Sequence, residues 1–220
     1  MNYTKNCKYS YRLLKKITFL DDKNQLDFGQ INKAIWWAKK YHNGQFRRSG
    51  EPFYTHPLEV AYMVSDYNLK TEVIITSILH DIIEDTEVTA GMILDTFGWR
   101  IAEMVDRLTR DRPDGTKLSV EVILNNAYDK NDKEVLLIKV IDRLHNMQTL
   151  GSMSVSKVSK ITTETLISFI TSSMYVGILE VEQLLLDSCI YYNHEQNKES
   201  YRAKPVFSFN NNSSILSLVS

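Results

Sequence analysis

Apolar residues recur at three- and four-residue intervals along most of this 220-residue chain, while alternating, strand-like runs are scarce. Such a pattern gives each helix one apolar face to bury and leaves little to build a sheet, so the expected fold class is all-α, a helical bundle. Ile31, Ala34, Ile35, Ala38 and Tyr41 form one such stripe and predict a helix over 27–42. The same reasoning predicts helices over about 57–67, 71–84, 88–97, 98–110, 118–128 and 132–149. Gly98 separates two of these, and Pro113-Asp114-Gly115 reads as a turn. Proline is tolerated at the first helical position, so Pro57 puts His56 at or beside an N-cap. Residues 156–191 are again helical in pattern, with a break expected near Gly177.

The bulk properties set a frame. The length suits one domain with a sizeable core. A net charge of −1 argues against a general nucleic-acid coat. Cys7 and Cys189 are far apart and form no metal-type or redox-type pair, which suggests free thiols in a reducing compartment. The first 25 residues hold no apolar signal core, and no apolar stretch approaches the roughly 18–20 residues of a membrane span. The expectation is a cytoplasmic protein with no nucleic-acid and no membrane partner. Residues 1–24 read as an N-terminal extension and 25–192 as the functional domain. Residues 193–220, with their low-complexity Asn210-Asn211-Asn212-Ser213-Ser214, read as a disordered or loosely docked tail. There is no internal repeat and no glycine-rich phosphate loop.

Chemistry concentrates in Leu79-His80-Asp81-Ile82-Ile83-Glu84-Asp85. On a continuous helix Glu84 would lie over His80 and Asp85 over Asp81, crowding three acids that repel one another. A bound cation is the simplest way to turn that repulsion to use. Asp142 is a second anomaly, because it interrupts the apolar pattern Val135, Leu136, Leu137, Ile138, Val140, Ile141, Leu144. A carboxylate there is costly unless paired or metal-bound. With His56 these make four candidate ligands: His56, His80, Asp81 and Asp142. Two imidazoles and two carboxylates suit Mn²⁺, Fe²⁺ or Zn²⁺ better than a thiolate-loving ion. Taken singly, each residue is as well explained as a cap or a surface group; the joint pattern is not. His145 reads as structural or as an orienter of a neighbouring ligand, and His194 as part of the tail.

A His…His-Asp…Asp series on a helical scaffold resembles the HD phosphohydrolase superfamily. Four runs narrow the resemblance to the hydrolase domain of the RelA/SpoT alarmone enzymes. They are the stretch Gln45 to Pro57, Leu79 to Thr86, Val105 to Thr109, and Ile138 to Met147. The resemblance covers roughly 25–192, which makes that span an HD-type hydrolase domain. It implies hydrolysis of the 3′-diphosphate of guanosine 3′,5′-bis(diphosphate) or its pentaphosphate relative to GDP or GTP plus pyrophosphate, with one Mn²⁺. Carried over by position, His56, His80, Asp81 and Asp142 hold the metal. Glu84 and Asp85 match the acidic pair that activates or positions water, with their division of labour left open. Arg47, Arg48, Asn146 and Thr149 match nucleotide-contacting positions.

Lys139 precedes Asp142 by three residues and could reach a phosphate from the same helical face. Arg143 reads as a helix-anchoring ion pair, and Trp36 and Trp37 as core and rim aromatics. Departures from the family pattern include Gln148 where a basic residue is common, Phe53 where Tyr is common, and a poor match over 111–130. Only 28 residues follow position 192, which suggests a stand-alone or shortened hydrolase without the synthetase domain. Two other functions fit the same motifs less well: a phosphohydrolase of another nucleotide, such as a nicotinamide dinucleotide phosphate, and a non-catalytic alarmone-binding module.

Overall fold

The computed structural model describes residues 7–111 and 115–196. Among them there is no strand, only two isolated antiparallel bridges, Phe46 with Pro52 and Asp111 with Lys117. The expected disordered tail lies outside the described residues from 197 onward, whereas 193–196 extend the last helix.

The first helix, α1 (Lys8–Leu20), was not expected from periodicity. Cys7 caps it, with its thiol accepting from the Ser10 N–H while the Ser10 hydroxyl takes the Cys7 N–H. Leu13 and Ile17 are fully buried against α3, each stabilising by about 1.5–3 kcal/mol. At the rim of that contact Arg12 pairs with Glu59 at 2.7 Å and Lys16 with Asp66 at 2.6 Å.

Helix α2 (Phe28–Tyr41) follows the expected stripe, with Ile31, Ala34, Ile35 and Ala38 buried. A turn through Gly44, at φ +82°, leads into a hooked loop. In that loop the Arg47 N–H donates to the Glu51 carbonyl at 2.8 Å, and Tyr9 of α1 donates to the Glu51 carboxylate at 2.7 Å. Helix α3 (Thr55–Val64) then starts two residues before Pro57. Pro57 sits in the first turn, where its missing N–H would have no intrahelical partner anyway. His56 is therefore inside the helix rather than capping it.

The predicted helix 71–84 is two helices, α4 (Thr71–Leu79) and α5 (Ile82–Asp85). The chain breaks at His80-Asp81, with Asp81 at φ −101°, ψ −1°. Consecutive side chains on an unbroken helix diverge by about 100°. The break removes that divergence and lets both point at one spot.

Next come α6 (Ala90–Phe97) and α7 (Trp99–Leu108), divided at Gly98 as expected. Then follow α8 (Val120–Asp129) and α9 (Lys133–Met147), capped by Ser119 and Asp132. The region after α9 is subdivided more finely than expected: α10 (Val155–Glu164), a π-helical turn over Thr165–Phe169, α11 (Ile170–Val176) and α12 (Leu179–Gln196). Gly177, at φ +88°, terminates α11 in the left-handed conformation that glycine adopts without strain. Arg143 pairs with Glu164 and lies over the Phe169 ring, tying α9 to this region.

The buried apolar side chains form two clusters. One joins α1, α2, α5 and α6; the other joins α8, α9, α10 and α12, with partly buried side chains of α11 against it; α3, α4 and α7 contribute to both. Trp37 packs in the first, edge-on to Tyr41 and Phe97. No helix of the described residues is long and apolar enough to cross a membrane. Cys7 and Cys189 are free.

Candidate metal centre

At the seam between the two clusters, α3, the α4–α5 break and α9 bring His56, His80, Asp81 and Asp142 together. His56 Nε2 lies 3.1 Å from Asp142 Oδ1 and 3.4 Å from Asp81 Oδ2. His80 Nε2 lies 3.1 Å from Asp81 Oδ2 and 3.7 Å from Asp142 Oδ1. Ligand atoms of His56, His80 and Asp142 all fall within 4.8 Å of one another, and all three residues are buried.

Ring protons decide what these nitrogens can do. His80 Nδ1 is 2.8 Å from the Ser77 carbonyl, which can only accept, so Nδ1 carries a proton and Nε2 is the nitrogen left to face the carboxylates. That Nε2 is buried and has no aligned hydrogen-bond partner, although Asp81 is close enough to pair with it electrostatically. A lone pair facing carboxylate oxygens is repulsive unless a second proton or a metal cation lies between them. Burial disfavours charging His80, but Asp81 and then Asp142 outweigh it and push its pKa up to about 10. Burial likewise works against ionising Asp81 and Asp142. For Asp81 the His80 charge and the His56 and His80 hydrogen bonds win; for Asp142, Lys139 and the same imidazoles do; both carboxyls lie below their ordinary range. The donor set therefore fits a divalent ion: two ionised carboxylates and two imidazole nitrogens, one of which is buried without a hydrogen-bond partner.

The acidic pair separates into two environments. Glu84 is occupied: its Oε1 accepts the Arg110 N–H at 2.5 Å, and Lys117, itself 2.6 Å from Asp111, stands 3.9 Å from its Oε2. The Asp85 carboxylate accepts no hydrogen bond among the described residues. Its rim is open to solvent, yet the protein packed beneath it, together with the Asp81 and Glu84 charges, pushes its pKa up to about 6. Gln45 Nε2 holds the Asp85 carbonyl at 2.6 Å, and His42 Nδ1 in turn holds Gln45 Oε1 at 2.8 Å.

Beside the metal ligands, α9 displays Lys139 and Asn146, and Thr149 follows two residues after its end. Lys139 is buried and pairs with Asp142 Oδ2 at 3.5 Å, so it neutralises a candidate ligand. Asn146 Nδ2 donates to Asp142 Oδ1 at 2.7 Å, while Asn146 Oδ1 accepts from Arg47 at 3.0 Å and Thr149 Oγ1 accepts from Arg47 at 3.3 Å. Arg47, Asn146 and Thr149 are thus one cluster, although 102 residues separate its ends. Arg48 stays on the exposed side of the loop with no partner among the described residues. Sequence reasoning did not single out His42, Gln45, Arg110 or Lys117. Of these only Gln45 falls within a run singled out in the sequence, Gln45 to Pro57, and nothing in that run marks its contact with Asp85.

Comparison with known proteins places this arrangement. The HD domain family matches residues 34–115. Over 167 residues the chain is 35% identical to a guanosine-3′,5′-bis(diphosphate) 3′-pyrophosphohydrolase from Haemophilus influenzae, covering 74% of this chain and 25% of that one. Residues 34–115 are therefore an HD domain. A GTP pyrophosphokinase from Myxococcus xanthus is 34% identical over 186 residues, covering 81% of this chain and 25% of that one. The HD-domain chain thus spans about a quarter of the length of these relatives. A solved structure described as a metazoan orthologue of SpoT that hydrolyses ppGpp superposes with a TM-score of 0.63 at 19% identity, over 76% of this chain and 97% of that one. At that identity the match shows the fold, an all-α HD domain.

Proposed function

We propose that this chain is a metal-dependent pyrophosphohydrolase of guanosine 3′,5′-bis(diphosphate) and its pentaphosphate relative, acting in alarmone breakdown. The observation that carries the reading is the convergence of His56, His80, Asp81 and Asp142 on one spot, directly beside the Arg47–Asn146–Thr149 cluster. We assign one divalent ion, Mn²⁺ by preference, to those four residues. Relatives with this region carry the names of both a hydrolase and a synthetase of the same nucleotide, which supports the substrate class. Free Cys7 and Cys189 fit a reducing compartment such as the cytoplasm.

When bound, the ion neutralises phosphoryl charge and makes water more acidic. The chain's own residues do the rest. Asp85, unengaged and with a raised pKa, accepts the proton of the attacking water. Water oxygen bonds to the phosphorus next to the 3′ oxygen, the bond between them breaks, and pyrophosphate leaves with the new oxygen. The 3′ oxygen takes a proton and remains on GDP or GTP. Glu84 serves by pinning Arg110 and Lys117, and so the segment that follows α7, beside Asp85. Arg47 offers a planar guanidinium to phosphate or purine, while Asn146 and Thr149 offer hydrogen bonds to the nucleotide. Lys139, held on Asp142, contributes charge balance rather than direct contact; Arg48 is positioned to meet the outer phosphates from the loop rim.

The test is release of pyrophosphate from the purified chain with Mn²⁺, assayed against the alarmone and, separately, against other phosphorylated nucleotides. Release from the alarmone, abolished in Asp81→Ala, is expected. Turnover of another nucleotide alone, or tight alarmone binding without turnover under any divalent ion, overturns the assignment.

A further inference from the structure

His145 belongs neither to the four candidate ligands nor to the residues assigned to the nucleotide, yet it touches both groups. Its Nδ1 lies 3.2 Å from an Arg47 guanidinium nitrogen and 2.8 Å from Nδ1 of His56, and the two rings sit 4.8 Å apart, tilted by 37°. Arginine has no acceptor, so in its contact with Arg47 His145 Nδ1 must accept. The ring is then neutral with its proton on Nε2. It follows that in the His56–His145 contact the donor is His56, whose proton sits on Nδ1. Only that tautomer leaves His56 Nε2 with a lone pair aimed at the spot between Asp81 and Asp142.

We propose that His145 is a positioning residue for the metal centre: its Nδ1 lone pair holds the His56 proton away from Nε2 and keeps His56 a ligand. The inference rests on the reading of the seam as a metal site. His145 plays for His56 the part that the Ser77 carbonyl plays for His80, and partners of this kind orient metal-binding imidazoles generally. An orienter drawn from a side chain differs from a carbonyl in being replaceable, which makes the role testable. The choice is also informative because α9 supplies His145 three residues after Asp142, so one helix carries a candidate ligand and the orienter of another.

Mn²⁺ affinity is measured for the wild-type, His145→Ala and His145→Asn chains, using the paramagnetic resonance of the free ion. The alanine variant is expected to bind roughly 10- to 100-fold more weakly. The asparagine variant places an amide oxygen near the position of Nδ1 and is expected to stay close to wild type. Equal losses in both variants would make the contact mere packing and overturn the role, as would an unchanged affinity in the alanine variant. Independently, ¹⁵N spectra of the metal-free wild-type chain should show His145 neutral with its proton on Nε2. A proton on His145 Nδ1 overturns the inference even if the alanine variant fails to fold. None of these readouts uses a nucleotide. A chain that binds Mn²⁺ and cleaves no alarmone therefore defeats the proposed function while leaving this test intact.

Discussion

Two adjacent acids, Glu84 and Asp85, show how far chemistry at the residue scale depends on partners distant in sequence. Spacing treats them as equals, but the backbone of Arg110 and the ammonium of Lys117 commit Glu84 to a structural contact and leave Asp85 free. Asp85→Asn is therefore expected to lower kcat by about 10²–10⁴-fold while Mn²⁺ affinity changes little. Glu84→Gln, which keeps an oxygen for the Arg110 N–H, should lose much less; a larger loss in Glu84→Gln would reverse the assignment. A carboxyl titrating at about 6 is protonated below that value and cannot take a proton there, so kcat/KM should fall on the acid side. A bound cation favours the ionised form, so the limb should lie at or below that pH. His80 governs a separate dependence. With its pKa near 10 in the metal-free chain, its second proton must leave before Nε2 can ligate. Metal affinity is then weakest in acid, and the log of the association constant should climb by about one unit per pH unit through neutrality, levelling above about pH 10. Affinity that is flat with pH across the neutral range would contradict this.

At the scale of elements, the helical stripes were legible because burial imposes a period on α2, α7 and α9 that a sequence displays directly. The break between α4 and α5 was not, since the apolar period runs through His80-Asp81 into Ile82 without interruption. What ends the helix there is a ring bonding back to the Ser77 carbonyl and two side chains turning toward α3 and α9, which are tertiary events. Helix α1 was hidden for another reason: its cap is a thiol, and its buried face is thin, resting chiefly on Leu13 and Ile17 among charged neighbours. The four candidate ligands and Arg47, Asn146 and Thr149 were all picked from the sequence, and the structure gathers them. Their supports, Gln45 and His42 above all, were not, because a hydrogen bond to a backbone carbonyl across 40 residues leaves no local trace. Leu13→Ala should destabilise the chain by about 2–5 kcal/mol in denaturant unfolding, reflecting a fully buried side chain against α3. Arg12→Ala, which removes a partly exposed ion pair with Glu59 and a cation–π contact with Tyr62, should cost about 1–2 kcal/mol at most. Comparable losses in the two variants would mean that α1 is held by charge rather than by its apolar face.

Across the whole molecule, the candidate site is a seam rather than a pocket within one core. One side of the seam is built from α1, α2, α5 and α6, the other from α8 onward, and the ligands come from both. A divalent ion there adds a further link between elements already joined by packing and by polar contacts such as those of Arg47 with Asn146 and Thr149. Saturating the site at about 100 times its dissociation constant should raise unfolding stability by about 2.7 kcal/mol, and chelation should reverse the gain. Thermal unfolding with Mn²⁺ and with a chelator checks this; identical transitions would show that the ion adds nothing to the fold. The seam also bears on time. His56 and Asp142 lie 86 residues apart, so the neighbouring helices of each half can pair early, by local contacts, while the ligands meet only when the halves dock. Nothing short of the completed fold offers the full ligand set. An emerging or half-collapsed chain could not sequester the ion, and uptake of metal during refolding should trail the return of helical signal, marking the last step of assembly.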